Sequence, residues 1–511
     1  MKPTDLGNIP AEKLEFAHQS DIRHDVKFET KPLNYFQDAW LRFRKNKSSV
    51  IAFIIIIAIV LFAFLTPLFS RYPVSFSDGI YSKKLPKSFV LSKIGIATGT
   101  RERTLSDKGY AYTLGIGIAA ADTDGQGATK QEGLACEFSP IVSGGELYTS
   151  HNKNYHDCVI DDYLETGFTY MQVTESQYGD MLAWQKETGR QLIYPMVDIS
   201  SDFNFSHTDA NYWYKTDDSG NPVNSYGEKL DINKDELEEN YLRNTDGSVA
   251  FYQDKASNMK YIRVLYYNYF IYKNGHEPAF LLGTDGSGYD ILVRLASGTR
   301  LSLLLAICVS AINLTIGAVY GAVEGYYGGL VDLILERVSD IISGVPFIIV
   351  ATLFQLHLVA TGKVSTFVAL MFAFVLTGWL NTAYNVRTQF YRFKNQEYVL
   401  AARTLGAKDL RVMFKHIFPN ALGTIITSSV LVIPSVIFSE SMLSYLGIAN
   451  MNSSTQTSLG TMLANGQQYL STFPHIIFFP AVIISLLMIS FNLFGNGLRD
   501  AFNPTLRGSE D

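Results

Sequence analysis

The chain has 511 residues, of which 47% are hydrophobic and only 18% charged, with 33 Phe and 30 Tyr but 3 Cys. Soluble domains carry about 25% charged residues, so collagen, a disordered chain and a disulfide scaffold are all excluded. A net charge of −6 leaves no basic footprint for nucleic acid.

Charge is unevenly spread. Residues 71–280 hold 20 basic and 29 acidic side chains, a net −9, while the rest of the chain is +3. An acidic block between apolar, mildly basic parts reads as a soluble domain inserted into a membrane protein.

Residues 1–30 are polar and aperiodic. Leu33, Phe36, Trp40 and Phe43 then fall at helical spacing, with Arg42, Lys45 and Lys47 off the stripe. Two readings stand open: an amphipathic helix on the inner membrane surface, or one packed on the protein itself. A bilayer core of about 30 Å needs about 20 apolar residues of helix. Residues 48–70, 301–323, 341–362, 364–386, 417–439 and 475–498 supply six such stretches without a charged residue. Pro346, Pro434 and Pro480 interrupt three of them and predict bends.

Lys and Arg set the direction. They cluster before the first span (Arg42, Arg44, Lys45, Lys47), between spans four and five, and after the sixth (Arg499, Arg507), whereas 447–474 has neither. Both termini are therefore expected in the cytoplasm of a multi-pass protein of the cell membrane, in contact with membrane lipid. The expected organisation is a cytoplasmic segment 1–47, a first span 48–70, an extracellular insertion 71–280, a five-span unit 281–498 whose cytoplasmic loop is 387–416, and a cytoplasmic end 499–511.

The insertion is rich in Tyr and Asn, has Asp-Gly and Ser-Gly turn signals, and includes the strand-like YIRVLYYNYFIYK, 261–273. It reads as an α+β domain. Cys136 and Cys158 would both lie outside, as a disulfide or as two free thiols; Cys308 falls in an apolar run. The stretch 122–127 (DTDGQG) starts like a calcium loop but has Gly133 where the loop needs Glu. His151 and His156 near Asp157 and Cys158 are metal candidates or isolated surface histidines. His276–Glu277 lacks a second His, no G-x-S-x-G occurs, and Gly362–Lys363 is followed by Val364 and so is no P-loop. No catalytic residue, cofactor or metal is expected.

The loop 397–422 reads EYVLAARTLGAKDLRVMFKHIFPNAL. Tyr398, Ala401, Ala402 and Leu405 make one small or apolar face, Gly406 is a C-cap, and Leu410, Met413, Phe414 and Ile417 start a second stripe. Two short helices meeting at Gly406–Ala407 are expected, with Pro419 at the entry to the next span. This resembles the coupling loop of ABC-importer permeases. Glu397, Tyr398, Ala401, Ala402, Arg403, Gly406 and Ala407 match the E-Y-V-x-A-A-R-x-x-G-A variant of peptide importers, and Pro419 matches further on. Leu400, His416 and Phe418 depart from the broader pattern. Residues 282–304, 325–346 and the end FNLFGNGLRDAFNPTLRG also resemble peptide permeases, although Tyr289, Val293, Asn496 and Asn503 differ. The N-terminal WLRFRKNKSSVIAF resembles the C-type subunit.

The resemblance covers about 31–70 and 281–507. It implies a type I ABC importer permease, a membrane all-α bundle of six transmembrane helices with an inserted extracellular domain, that passes oligopeptides or dipeptides. It implies as partners a homologous B-type permease, two cytoplasmic ABC ATPases and an extracellular substrate-binding lipoprotein. It also implies an outer gate, in which residues 458–470 dip between the last two spans with Gly460 at their start. Glu440 lies beneath, either in a salt bridge or against the amino terminus of a peptide. The same scaffold importing another small solute such as a nickel chelate, and a surface receptor or enzyme on a six-span anchor, are the alternatives; the coupling loop argues against the last.

Overall fold

In a computed structural model, which describes residues 35–121, 138–198, 209–232, 234–255 and 258–502, the chain opens with α1 (Tyr35–Lys45) and α2 (Lys47–Phe69). Asn46 separates them: its side chain caps α2 by accepting from the Ser49 amide at 3.4 Å. Ala39 and Phe43 of α1 are buried against Phe494, Leu498 and Ala501 near the end of the chain, while Trp40 is half exposed. One face of this helix thus packs on the protein itself. The buried face is set by Ala39 and Phe43, not by the expected Trp40.

The inserted region follows, with β1 (Thr100–Ser106), α3 (Asp107–Ala121), β2 (Ile141–Ser150), β3 (Lys153–Asp161), β4 (Phe168–Thr174), α4 (Glu175–Thr188), β5 (Ile193–Tyr194), β6 (Tyr252–Lys255), β7 (Met259–Leu265) and α5 (Tyr266–Asn274). One antiparallel sheet has the order β1-β3-β2. In the other, β7 is central, with β4 on one side and β5 and β6 sharing the other. The expected strand 261–273 ends at Leu265. Beyond it, Tyr266 and Phe270 sit one helical turn apart and bury against Tyr72, Tyr81, Tyr163 and Phe280, which favours helix over a continued ladder. This aromatic cluster ties the two ends of the insertion together.

One hairpin recurs four times. Thr216–Pro222, Val223–Lys229, Arg243–Val249 and Thr284–Asp290 each close with a bridge between first and seventh residues. The second residue is Asp or Asn; its carbonyl accepts from the amide of a glycine three residues on (Gly220, Gly227, Gly247, Gly288) at 2.8 to 3.0 Å. Those glycines have φ between +77° and +83°, which favours the absence of a Cβ.

Cys158 is a buried free thiol in β3, and Cys136 lies outside the described residues, as does 122–127. His156 is buried, not on the surface as expected. It stacks on Tyr110 at 4.0 Å and bonds Asp107 Oδ1 and the Gly145 carbonyl, each at 2.9 Å. His151 bonds only Ser150, and no cluster of metal ligands occurs among the described residues.

The remaining helices are α6 (Ile291–Tyr327), α7 (Gly329–Ser343), α8 (Phe347–Phe354), α9 (Thr366–Phe393), α10 (Glu397–Thr404), α11 (Asp409–Arg411), α12 (Phe418–Val430), α13 (Val432–Tyr445), α14 (Leu459–Gly466) and α15 (His475–Phe502). Among the described residues, α2, α6, α9, the continuous stretch Asp409–Tyr445 and α15 are each long and apolar enough to cross a membrane. The window 341–362 is not a straight span. Gly329–Ser343 and Phe347–Val359 meet at 68°. Pro346 has no amide to continue the first helix and forces Val345 out of helical conformation.

A close backbone contact in the bundle is a seam between α6 and α9. Gly317, Gly321 and Gly325 repeat every fourth residue on one face of α6. A Cβ would come within 2.7 Å of Thr382 at Gly317, 2.1 Å of the Ala383 carbonyl at Gly321, and 2.7 Å of the Arg387 carbonyl at Gly325. Small residues at this spacing let membrane helices approach backbone to backbone. Gly321→Ala is expected to lower the thermal unfolding midpoint in detergent, because overpacking costs about 1–3 kcal/mol. Gly179→Ala, in a helix of the insertion with open space around it, is expected to raise or preserve that midpoint. Equal midpoints for Gly321→Ala and the wild type would contradict the seam.

Candidate coupling loop and outer gate

The α6–α9 seam ends at the expected cytoplasmic loop. Arg387 of α9 makes a bidentate bond to Asp332 (2.7 and 2.9 Å), donates to Glu336 at 2.9 Å, and lies 3.5 Å from Glu324 of α6. Tyr391 donates to the same Asp332 at 2.6 Å. One planar guanidinium thus joins α6, α7 and α9, which a lysine could not do in the same geometry. One turn further, Lys394 donates to the Gly325 carbonyl at 2.9 Å.

The loop hangs from this cluster. The α10 helix stops at Thr404, and Gly406 takes φ +80° with open space around it. The chain then re-enters helix at Asp409 and passes through a wide π-type turn over Val412–Ile417 into α12, with Pro419 in its first turn. Val399, Val412, Met413 and Ile417 are fully buried against Tyr326 and Phe390. Tyr326 donates to Asp409 at 2.6 Å, and the Arg403 guanidinium lies over its ring at 4.9 Å.

The outer side of the loop is the reverse. Leu405 is 88% exposed, Leu410 and Phe414 are exposed, and so are Glu397, Tyr398, Ala401, Gly406 and Pro419; Ala402 and Ala407 are half-buried. The expected stripe of Tyr398 and Leu405 is therefore not the packed face. Val399, one residue along, is what anchors α10. Similarly, of the second stripe Met413 and Ile417 turn inward while Leu410 and Phe414 turn out. The loop is held rigidly on one side and offers small and apolar groups on the other.

At the opposite end, α14 lies across α13 and α6. Ser458 caps it, accepting from the Thr461 amide at 3.1 Å. Gly460 sits against α13: a Cβ there would be 2.5 Å from Ser441 Cα and 3.0 Å from Glu440 Oε1. On α6, Gly298 makes room for the Ser458–Leu459 backbone. Glu440 is fully buried beneath this contact. Its carboxylate accepts from Ser458 Oγ at 2.6 Å, Ser444 Oγ at 3.0 Å and Ser302 Oγ at 3.1 Å. No cation pairs with it among the described residues, so the expected salt bridge is replaced by hydroxyl donors from three elements. A buried carboxyl group is tolerated only when its oxygens are so satisfied.

The insertion reaches the same end. Gly286 faces Tyr469, just after α14, and the Lys83 ammonium lies over that ring at 5.2 Å. Gly283 leaves room for the His475 ring and the Lys84 carbonyl, both of which a Cβ there would meet. Lys84 itself donates to the Asp162 carbonyl at 2.6 Å; burial pushes its pKa down, against the opposing pull of Asp162.

Sequence reasoning missed the Arg387 cluster and the serine cradle. The period-four glycines were a readable sign of the first. No local pattern marks the second, because two of its three donors come from positions 302 and 458. Ser458→Ala is expected to lower the unfolding midpoint in detergent, since leaving a buried polar group without its hydrogen-bond partner costs about 1–3 kcal/mol. Ser458→Thr, which keeps the hydroxyl, is expected to fall less. Indistinguishable midpoints for wild type and Ser458→Ala would show that the hydroxyls do not hold the carboxylate.

The chain is similar to known proteins. A family model described as the binding-protein-dependent transport system inner membrane component matches residues 313–508. A second, the N-terminal TM domain of oligopeptide transport permease C, matches 34–86. The oligopeptide transport system permease protein OppC of Bacillus subtilis (strain 168) is 42% identical over 225 residues, 44% of this chain and 72% of the relative. The dipeptide transport system permease protein DppC of the same strain is 40% identical over 226 residues, 44% of this chain and 68% of the relative. A solved inward-facing MetNI methionine ABC transporter aligns at 16% identity with a TM-score of 0.34, covering 41% of this chain and 96% of that one. With its multiple apolar helices, the chain belongs to the family of oligopeptide and dipeptide transport permeases of the C type.

Proposed function

We propose that this chain is the C-type half of an ATP-driven importer that carries peptides across the cell membrane. The observation that carries the reading is the coupling loop, anchored through Val399, Met413 and Ile417 and exposing Leu405, Leu410 and Phe414. An exposed apolar ridge on a rigid base is suited to a groove on a partner. Two cytoplasmic ABC ATPases would occupy it, a position on the cytoplasmic side that the exposed basic residues Arg403, Lys408 and Arg411 support. Counting the bent pair as one span gives six, with both termini inside. The face that α7 leaves uncovered, with Leu330, Ile334 and Ile341 exposed, would receive the homologous B-type permease.

Closure of the ATPases would displace the loop. That displacement reaches the membrane through Tyr326, Lys394 and Arg387, so α6, α9 and the loop move as one piece. Glu440 and Gly460 would seat α14 as the outer gate, with the carboxylate serving the closed packing rather than reading a substrate.

Residues 87–312 fall outside both family models. We place residues 71–280 outside the cell as a docking element for the substrate-binding lipoprotein, supported by the net −9 of this region and by its contacts beside α14. Steering by that charge would weaken with salt, because the Debye length is about 8 Å at physiological ionic strength.

Two outcomes are expected. Leu405→Asp, at a side chain with no packing role, abolishes uptake and peptide-stimulated ATP hydrolysis in the assembled transporter while membrane insertion stays normal, as does Ala402→Asp; wild-type uptake by both would overturn the coupling role. Replacing residues 100–265 by a short Gly/Ser linker, which keeps Tyr72, Tyr81 and Phe280, weakens binding of the substrate-binding protein. Unchanged affinity and uptake would overturn the docking role.

A further inference from the structure

Halfway along the bundle lies a cavity of about 610 Å³ between α6, α8, α9 and the α12–α13 junction. This is within the roughly 300–1,000 Å³ of small-ligand sites. Its polar lining includes Asn313, Thr377, Asn381, Asn385, Ser435 and Ser439, set among aromatic and aliphatic side chains. Among the described residues that line it, none carries a charge.

Amides and hydroxyls at membrane depth are costly unless they face a cavity or one another. Here they are not spent on one another. Asn313 is 1% exposed, lines the cavity, and its Oδ1 has no hydrogen-bond partner. Opposite it stands Gly378, where a Cβ would lie 2.3 Å from Asn313 Nδ2, so the amide is held over bare backbone. At the α12–α13 junction Pro434 has no N–H to offer the Val430 carbonyl, and Ser435 bonds back to the Leu431 carbonyl at 3.3 Å. The site thus presents donors and acceptors of the same kind that a peptide main chain carries, one N–H and one C=O per residue.

We propose that this cavity is a main-chain subsite for the translocated peptide, an uncharged cradle that exchanges hydrogen bonds with backbone amides and leaves side-chain charge unread. The proposal rests on the peptide-importer reading and adds where and how the peptide is held. A charged lining would favour oppositely charged side chains and hold them; an amide and hydroxyl lining discriminates little between Ala, Lys and Glu at the same position. The other occupant the cavity could have is a polar helix of the partner permease.

The test uses the complete transporter in proteoliposomes with its substrate-binding protein, and the probes are Ala-Lys-Ala and Ala-Glu-Ala. The quantity read is the ratio of their uptake rates, normalised to wild type so that preferences of the binding protein cancel. Asn381→Asp is expected to raise the ratio about tenfold and Asn381→Lys to lower it about as much, because one charge pair in a partly dehydrated site contributes at least that. An unchanged ratio in both variants, with uptake continuing, overturns the subsite and assigns the cavity to the partner helix. If neither variant transports, Asn381→Cys decides. Its labelling by a charged thiosulfonate is expected to slow in saturating tri-alanine, and labelling indifferent to the peptide overturns the proposal. A wild-type transporter that hydrolyses ATP yet takes up neither tripeptide overturns the substrate class itself, a result distinct from the others.

Discussion

The bundle depends on backbone contact between two helices. Side chains can rearrange; a peptide group against a peptide group cannot yield without moving the whole helix. Gly317, Gly321 and Gly325 bring α6 onto the carbonyls of Trp379, Ala383 and Arg387. Continue the same spacing of four one step toward the start of α6 and the next residue is Asn313, which meets Gly378. Continue it toward the end of α6 and the seam ends in Glu324, Arg387 and the loop. The polar cavity, the close contact and the ion cluster are therefore stations on one line. In a bilayer, where the hydrophobic effect does not press helices together, such packing supplies much of the association energy.

The outer end follows a different rule. A carboxylate buried under α14 would be strongly destabilising alone, and its hydroxyl partners come from α6, α13 and the cap of α14 itself. The arrangement is satisfied only while all three elements are in place. Were α14 to open, as proposed for the outer gate, the Ser458 hydrogen bond and the Gly460 contact would be lost together. The root of the insertion, through Lys83 and Gly286, touches the residues just beyond α14. A partner bound to the insertion would therefore act close to this element.

Much of this was legible in the sequence, for physical reasons that also explain the misses. Uncharged runs long enough to span a bilayer identify α2, α6, α9 and α15 because insertion energetics tolerate little else. At 341–362 the bend expected at Pro346 is present, between two apolar helices that meet at 68°, although hydropathy, which carries no direction, could not give that angle. In 261–273 a run of aromatic residues looked like strand, yet Tyr266 and Phe270 found partners on a helical period. The loop 397–419 was readable as two helices around Gly406, but which face packs was not, because both faces are apolar and only tertiary contact selects Val399 over Tyr398. The partners of Glu440 were hidden for a further reason: residues 302 and 458 lie 138 positions before it and 18 after it, and no local pattern links them.

In the proposed cycle α6, α9 and the coupling loop move as one rigid piece. Its most direct measurement is pulsed electron resonance on the complete transporter, with spin labels at Val319 on α6 and Leu405 in the loop, both exposed. The distance distribution is expected to be the same in the nucleotide-free and ATP-bound states. A shift approaching the helical pitch of about 5.4 Å between those states would mean that the loop slides past α6, and would contradict the account.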